Sequence, residues 1–527
     1  MPCATKRTVM ATETLILLAA ITSGILTAAL QNLKWLRVAQ RVHYLPREVA
    51  RVERLWFDRR PLGALWWGLA AVFALLSVQG AAWLGMPELA WAAVIAPLFI
   101  LPTPWKLPFR GVTSPLSWTP RAVRAYAGIL LAQVLVGVLT VYLLGPAGVL
   151  IPILFTANLA DLALGFLWYL ERNLSMTFVR QAQKRLKKVN PTVVAITGSY
   201  GKTSTKGYVA HIVGGAIGTM ASPASFNNLM GLSRTINEHL VAGTSVFVAE
   251  MGMNAEGRIR ELTNWFPPDI AAITVIGEAH MERLGSREAI FRAKSEITEK
   301  APIVVLPVDQ KELRALADKC ERQGKRVVRV SAQGKKADVI VDPDLGTITY
   351  GPGAKPVPMD MPPFGHAVNI AVALGIAWQL EVPADQALSR LAHLPVAAHR
   401  AEVATHEDGV AIIDDTYNSN PLGAKHAVES AARLAKERKA PLVVVTPGMV
   451  ELGPVQFERN SQLAQSVIKA GGTLLIVGRT NRKALLKGAG GKAEVFDTRG
   501  DAVTHALRAA GDQGVILYEN DLPDHYP

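Results

Sequence analysis

"VVAITGSYGKTSTKGYV", Val193–Val209, is a β-branched run, a Gly-x-x-Gly-Lys-Thr turn and then a helical pattern. That order sets a short loop between the carboxyl end of a strand and the amino end of a helix. Unpaired N–H groups and the helix dipole favour anions there. Gly198 and Gly201 let the backbone turn tightly onto phosphate oxygens, Lys202 can reach the terminal phosphates, and the Thr203 hydroxyl can ligate Mg²⁺. Ser199 and Ser204 belong to the same phosphate-binding stretch. The loop is two residues shorter than the usual Gly-x-x-x-x-Gly-Lys-Ser/Thr, and a bare match also arises in ordinary turns. Its place between strand and helix favours a nucleotide site.

Outward from this stretch, apolar runs of four to six residues alternate with helical patterns: "SVFVAEM", "IAAITVI" and "IVVLPV". Buried parallel strands read this way, which predicts an α/β domain. A second α/β series follows in "VAIID", "PLVVVTP", "TLLIVG" and "GVILYE", with a boundary near "HLPVAAHR".

Toward the N-terminus the texture is different. Thr14–Leu30, Leu62–Gly85, Tyr126–Leu144 and Ala147–Leu170 are apolar and near the ~20 residues a bilayer needs. Glu88–Leu101 is shorter and carries Pro97, so it is either a fifth span or a re-entrant piece. The first segment is not a cleavable signal peptide: its start is weakly charged and more spans follow. Residues 1–190 hold 20 Lys/Arg and 7 Asp/Glu, which accounts for the whole net charge of +13. The basic pI therefore reports the flanks of apolar segments and not nucleic-acid binding. Eight Lys/Arg lie in Lys34–Arg60, four in Pro102–Arg124, and "RQAQKRLKK" follows the last apolar run. Positive flanks stay in the cytoplasm, so the soluble part is expected there, on a multi-pass cell-membrane protein with the lipid bilayer as a partner. Asp161, inside the last run, is either functional or a packing contact with Asn158 or a neighbouring helix. Two cysteines make neither a disulfide framework nor a metal cluster.

Three more residues stand where strands end or helices begin. Glu250 closes "VFVAEMG", His280 follows "AAITVIGEAH", and Lys294 lies in "FRAKSEI". Singly, each is equally a solvated charge, a structural histidine or a surface lysine. Ligands of doubly wound sheets bind at the carboxyl ends of strands, however, and these segments converge there. A hard Mg²⁺ ion wants an oxygen ligand such as Glu250.

The blocks "AITGSYGKTSTK", "SFNNLMGLSRT", "VAEMGMNAEGRIREL", "PDIAAITVIGEAHMERLGSREAIFRAKSEI" and "AIIDDTYNSNP" follow in this order. Together they resemble the Mur ligase family of ATP-dependent amide ligases, over roughly residues 191–520, and "GMVELGP" resembles a further element of one branch. The apolar runs and their basic flanks predict a transmembrane helical region (1–172, four or five helices) and a basic linker (173–190) ahead of the resembling residues. An α/β P-loop ATP-binding domain (191–395) and a Rossmann-like α/β ligase domain (396–527) then follow. The resemblance implies that Lys202 and Thr203 bind phosphates and Mg²⁺, and that Glu250 and His280 hold metal. Lys294 would be a lysine open to carbamylation. Arg400 and Asp415 would reach the nucleotide from the second domain, with Asn369 near the adenine. Asn227, Asn228, Tyr417 and Asn418 would lie near the substrates.

The implied reaction phosphorylates a substrate carboxylate with ATP, and an amine then displaces phosphate. The amine is an amino acid or a dipeptide of the D-Ala-D-Ala kind, and the acceptor a nucleotide-linked or lipid-linked cell-envelope precursor. Three departures stand out. The membrane region occupies the place of the family's UDP-sugar domain, and a His-Asn-x-x-Asn stretch is reduced to "GHAVNIA" with Asn369 one residue out of step. Where a Lys-Gly-Ser element belongs, "YENDLPDHYP" carries three acids and no base. A poly-amino-acid or glutamyl ligase for a capsule or storage polymer, and an ATP-switched scaffold or transport protein, are the alternative readings.

Overall fold

The computed structural model describes all residues except 1, 81–85, 110, 112–114, 360–365, 396–401, 406–408, 417–418, 523–525 and 527. The chain forms two compact units, Met1–Leu174 with Leu522–Pro527, and Ser175–Asp521.

The first unit is helical, with long helices at Pro2–Arg41 and Pro120–Leu144. By length and composition, Ala11–Arg41 and Pro120–Leu154 are able to cross a bilayer. The bent pair Glu48–Arg59 and Leu62–Val78, at 104°, is a third if taken as one span. Among the described residues these are two or three candidates by length and composition, beside the four or five spans expected. The Ala147–Leu170 run is not one helix: Leu150–Leu154 and Thr156–Val189 are separate. Pro152 has no N–H for the Gly148 carbonyl, which accepts instead from the Thr140 hydroxyl at 2.7 Å. Beyond the break the helix carries Asp161, Glu171 and Arg172, too polar for a span. Glu88–Leu101 is built of short pieces around Pro97.

Burial in this unit runs opposite to what water selects. Gln31, Asn32, Lys34 and Arg37 are buried, while Tyr142 and Phe166 are 85% and 84% exposed. Several of the buried groups bond locally: Lys34 donates to the carbonyls of Leu101 (2.8 Å) and Thr103 (2.9 Å). Asn32, Gln133 and Thr156 form a chain of side-chain bonds. Asp161 accepts from Val49 N (3.1 Å) and Ala50 N (2.9 Å), so it caps the helix Glu48–Arg59 from a distance. The packing alternative is thereby realised, with this helix and not Asn158 as the partner. That helix has Arg47 at its N-cap with no side-chain bond of its own. Asp161→Ala is therefore expected to destabilise it by about 1 kcal/mol, read as faster amide exchange confined to residues 48–52.

In the second unit, β1 (Thr192–Thr197), β2 (Thr219–Ala221), β3 (Val246–Glu250), β4 (Ile270–Ile273), β5 (Ile303–Pro307), β6 (Arg326–Ser331), β7 (Val339–Asp342), β8 (Thr347–Tyr350) and β9 (Val357–Pro358) form one sheet. Their order is β2-β3-β1-β4-β5-β6-β7-β8-β9. Pairing is parallel up to β7, and β8 and β9 add antiparallel edges. The runs are apolar throughout because both faces are covered. Val193, Ala195, Phe247 and Ala249 face one core, while Val194, Ile196, Val246 and Val248 face the other. Each buried Val or Ile contributes roughly 1.5–3 kcal/mol. The helix Ala367–Gln379 is apolar because it lies inside the second core, pressed on the sheet at Gly375, whose added Cβ would meet Val330 at 2.7 Å.

A second sheet holds β10 (Glu402–Thr405), β11 (Ala411–Asp415), β12 (Leu442–Thr446), β13 (Thr473–Val477), β14 (Ala493–Phe496) and β15 (Val515–Glu519). Its order is β10-β11-β15-β12-β13-β14, parallel except for β10. The strand runs named from the sequence in both series are strands here. In the first sheet the chain leaves β1 toward β2 and β3 and returns to β4 on its other side. A crevice opens at such a reversal, at the carboxyl end of β1.

Candidate active site

The loop Gly198–Gly201 fills that crevice. Gly198 has φ 155° and lies against Thr274, whose Oγ1 would be 1.9 Å from an added Cβ. Gly201, at φ 79°, starts the helix Lys202–Gly214 and faces the Asn369 side chain, whose Oδ1 would be 2.2 Å from an added Cβ. Only glycine suits both the left-handed backbone and the close approach. Ser199 braces the loop from beneath, accepting from Gly277 N at 2.9 Å and donating to Gly277 O at 3.2 Å. Ser204 lies half-buried in the first turn of the helix.

The register of β1 against β3 pairs Ile196 with Glu250, which brings that carboxylate beside the loop. Glu250 is 1% exposed and accepts from the Thr203 hydroxyl and from Asn227 Nδ2, both at 3.0 Å. Lys206 Nζ lies 3.3 Å from its Oε2. Burial alone would raise this carboxyl; Lys202 and Lys206, with the bonds from Asn227 and Thr203, outweigh it and hold Glu250 below the usual range. The sequence reading passed over Lys206, although it stands one helical turn after Lys202 and so on the same face.

Lys294 is also 1% exposed, and its Nζ donates to the Gly198 carbonyl at 2.9 Å. Lys202 Nζ donates to the same carbonyl at 2.8 Å. Burial, then the nearby Lys202 charge, push Lys294 far below the ordinary lysine range. His280 is held in the left-handed region (φ 67°), with Nδ1 3.0 Å from Glu451 Oε2. Burial and the charges of Lys294 and Lys202 lower it, against Glu451. Lys202, Thr203, Glu250, Lys294, His280 and Asn369 therefore converge on one loop.

Other expected residues are placed differently. Asn228 caps the helix Leu229–His239, its Oδ1 accepting from Gly231 N at 2.9 Å. Asp415 ends β11 in register with Glu519 of β15, and its carbonyl accepts from Asn520 N. Arg400, Tyr417 and Asn418 lie outside the described residues. Reading the sequence missed Glu519, a fully buried acid bonded by Ser419 and Thr446.

Among the described residues, no three His, Cys, Asp or Glu side chains gather as a metal cluster. The Glu250 carboxylate and Thr203 hydroxyl nonetheless offer two adjacent oxygens. That fits Mg²⁺, which takes one or two protein oxygens and fills its octahedron with phosphate and water. The Lys294 amine is a donor to Gly198 and, as an amine, no ligand.

The sequence matches the Mur ligase middle domain over residues 196–377, and the Mur ligase glutamate ligase domain over residues 399–518. The UDP-N-acetylmuramoyl-tripeptide–D-alanyl-D-alanine ligase of Mycobacterium tuberculosis is 30% identical over 352 residues, covering 63% of this chain and 68% of the relative. The Bacillus subtilis enzyme of the same name is 30% identical over 287 residues, 54% of this chain and 62% of that one. In fold, MurF of Acinetobacter baumannii superposes with a TM-score of 0.56 at 22% identity, over 66% of this chain and 77% of the other. A MurF ligase from Thermotoga maritima, solved with ADP, gives 0.56 at 24% identity, over 66% and 80%. With this loop, these strands and these matches in hand, the chain belongs to the Mur ligase family of ATP-dependent acid–amino-acid ligases.

Proposed function

We propose that the protein is a membrane-anchored ligase joining the amine of an amino acid or D-Ala-D-Ala-like dipeptide to a carboxylate of a cell-envelope precursor. The observation that carries this reading is the gathering of Lys202, Thr203, Glu250 and Lys294 around the single carbonyl-and-hydroxyl edge of the Gly198–Gly201 loop. The relatives named above act, by their names, on UDP-N-acetylmuramoyl-tripeptide and D-alanyl-D-alanine.

The substrate carboxylate attacks the γ-phosphorus of ATP, the bond to ADP breaks, and an acyl phosphate forms. The amine then attacks the acyl carbon, phosphate leaves, and an amide remains. In the first step the protein's work is positioning and cancelling charge. Lys202 and the N-terminal N–H groups of its helix face the phosphates. Thr203 and Glu250 would hold Mg²⁺, which supplies neutralisation of the developing phosphate charge. Asn227 and Lys206 keep Glu250 ionised and fixed in place. With its proton lost, the Lys294 amine would add to CO₂ to give a carbamate and a proton, turning a donor into an oxygen ligand. The loop after β12 meets His280 through Glu451, and its closure over the site would exclude the water that hydrolyses an acyl phosphate.

The inverted burial of the first unit supports lipid contact, and the Lys/Arg flanks put the ligase on the cytoplasmic side. Held at the membrane, the site meets a membrane-bound acceptor at raised effective concentration. The test uses the full chain in nanodiscs with ATP, Mg²⁺, D-Ala-D-Ala, and soluble or lipid-linked precursors in separate arms. Mass spectrometry should find one new amide per phosphate released, with turnover falling when CO₂ and bicarbonate are stripped from the buffer. ATP hydrolysis with no amide in any arm would overturn the reading.

A further inference from the structure

The loop after β12 is built more rigidly than a cover requires. Asn460, fully buried, accepts from Met449 N at 2.8 Å and donates to Met449 O at 2.9 Å. Asn481 donates to the carbonyls of Pro447 and Met449, both at 3.0 Å. Asn520 donates to Gly448 O at 2.6 Å. Three asparagines thus fix the backbone just before Glu451, which is held at φ 63°. Its partner His280 is also left-handed. Non-glycine residues are strained in that region, and such conformations persist where the surroundings over-determine them.

What the loop presents is a carboxylate. Oε2 of Glu451 lies 3.0 Å from His280 Nδ1, and Oε1 accepts from Arg283 at 3.0 Å. Glu451 O accepts from Glu282 N, and Gly453 lies so close to the Glu282 backbone that an added Cβ would be 3.0 Å from it. A carboxylate with Arg283 on its other oxygen can only accept, so the proton of a neutral His280 ring sits on Nδ1. Nε2 then carries the lone pair, on a ring whose neighbouring charges are Lys294 and Lys202. Histidines that ligate metals are oriented this way, by a carboxylate on the other ring nitrogen.

We infer that Glu451, carried by the second α/β domain, is the positioning residue of His280 in the first, so that docking of the Gly448–Pro454 loop and metal–nucleotide binding are one coupled event. This rests on the ligase reading proposed above and on His280 holding the metal with Glu250, as the family resemblance implies. It is read by binding and not by product, so a failed ligase assay leaves it separately testable.

The experiment uses the full chain in nanodiscs with ¹⁵N-labelled histidine, His280 being assigned by its loss in His280→Gln. Wild type should show His280 with the proton on Nδ1. Glu451→Ala should shift it to the Nε2–H form and weaken Mn²⁺–ADP binding by about 10- to 100-fold. Glu451→Gln, which keeps an acceptor and the side-chain size, should retain the tautomer and bind within a few-fold of wild type. Arg459→Ala breaks the other tie between the same loops, the Arg459–Glu278 pair, without touching His280, and should leave the tautomer in place. An unchanged His280 resonance in Glu451→Ala, or equal losses of Mn²⁺–ADP affinity in Glu451→Ala and Arg459→Ala, would show a merely structural contact and overturn the inference.

Discussion

Lys202→Met should abolish ATP-dependent turnover, a fall of at least about 10³-fold, while the protein melts close to the wild-type temperature. The magnitude follows from the chemistry: a single cation aimed at a transferring phosphoryl group is worth roughly 10³–10⁵ in rate. Stability should hold because the lysine is only half-buried and its bonds run to the carbonyls of its own loop, Gly198 at 2.8 Å and Ser199 at 3.5 Å. Its loss also changes two neighbours. Glu250 loses the foremost of the charges that lower it, and Lys294 loses the charge that, after burial, pushes it down. Lys206→Met serves as the comparison. It removes a cation from the same carboxylate at 3.3 Å but leaves the phosphate-facing lysine, so a loss of ten-fold or so is expected. Steady-state phosphate release and thermal melts on the three proteins decide it. Near-equal activity of Lys202→Met and wild type would remove Lys202 from the reaction.

The contrast between those two lysines shows what the sequence carried. Lys202 was legible because a Gly-x-x-Gly-Lys-Thr turn between a strand and a helix dictates local geometry within six residues. The strand runs were legible for a similar reason, since two covered faces demand unbroken Val, Ile and Ala. Glu250 and Lys294 were marked by position at strand and helix ends, and the sheet register then brought them together. Lys206 needed only the helical repeat and was overlooked. Glu451 lay inside the marked "GMVELGP" stretch, but its pairing with His280 was beyond reach, as was the burial of Glu519. The first matters because two loops about 170 residues apart meet, and the second because an interior strand end is closed over by hydroxyls from two other segments. In the first unit, apolar length did not register that the Ala147–Leu170 run is broken at Pro152 or that a polar stripe is buried.

The buried acid at the end of β15 gives the largest stability effect. Glu519 lies on an interior strand between β11 and β12, fully buried, with the Ser419 and Thr446 hydroxyls donating to it. Burial pushes it up to about 7; the two hydroxyls oppose this and Asp415, its register partner, adds to it. In an unfolded chain the same carboxyl titrates near 4.5. Between those values the folded protein binds a proton that the unfolded chain has lost. Its contribution is therefore fully present below about pH 4.5, declines as pH rises, and is gone above about pH 7. The difference in pKa corresponds to up to about 3 kcal/mol, some 6–12 °C in melting temperature for a domain of this size. Glu519→Gln keeps the volume and an acceptor and has no proton to lose. Its melting curve should flatten relative to wild type between pH 5 and 8, the two lines converging toward the acid end and the variant standing higher at pH 8. Other groups titrate in both proteins, so the difference between the lines isolates this one. Parallel lines would mean that Glu519 is ionised inside the fold, held there with the help of the Ser419 and Thr446 hydroxyls.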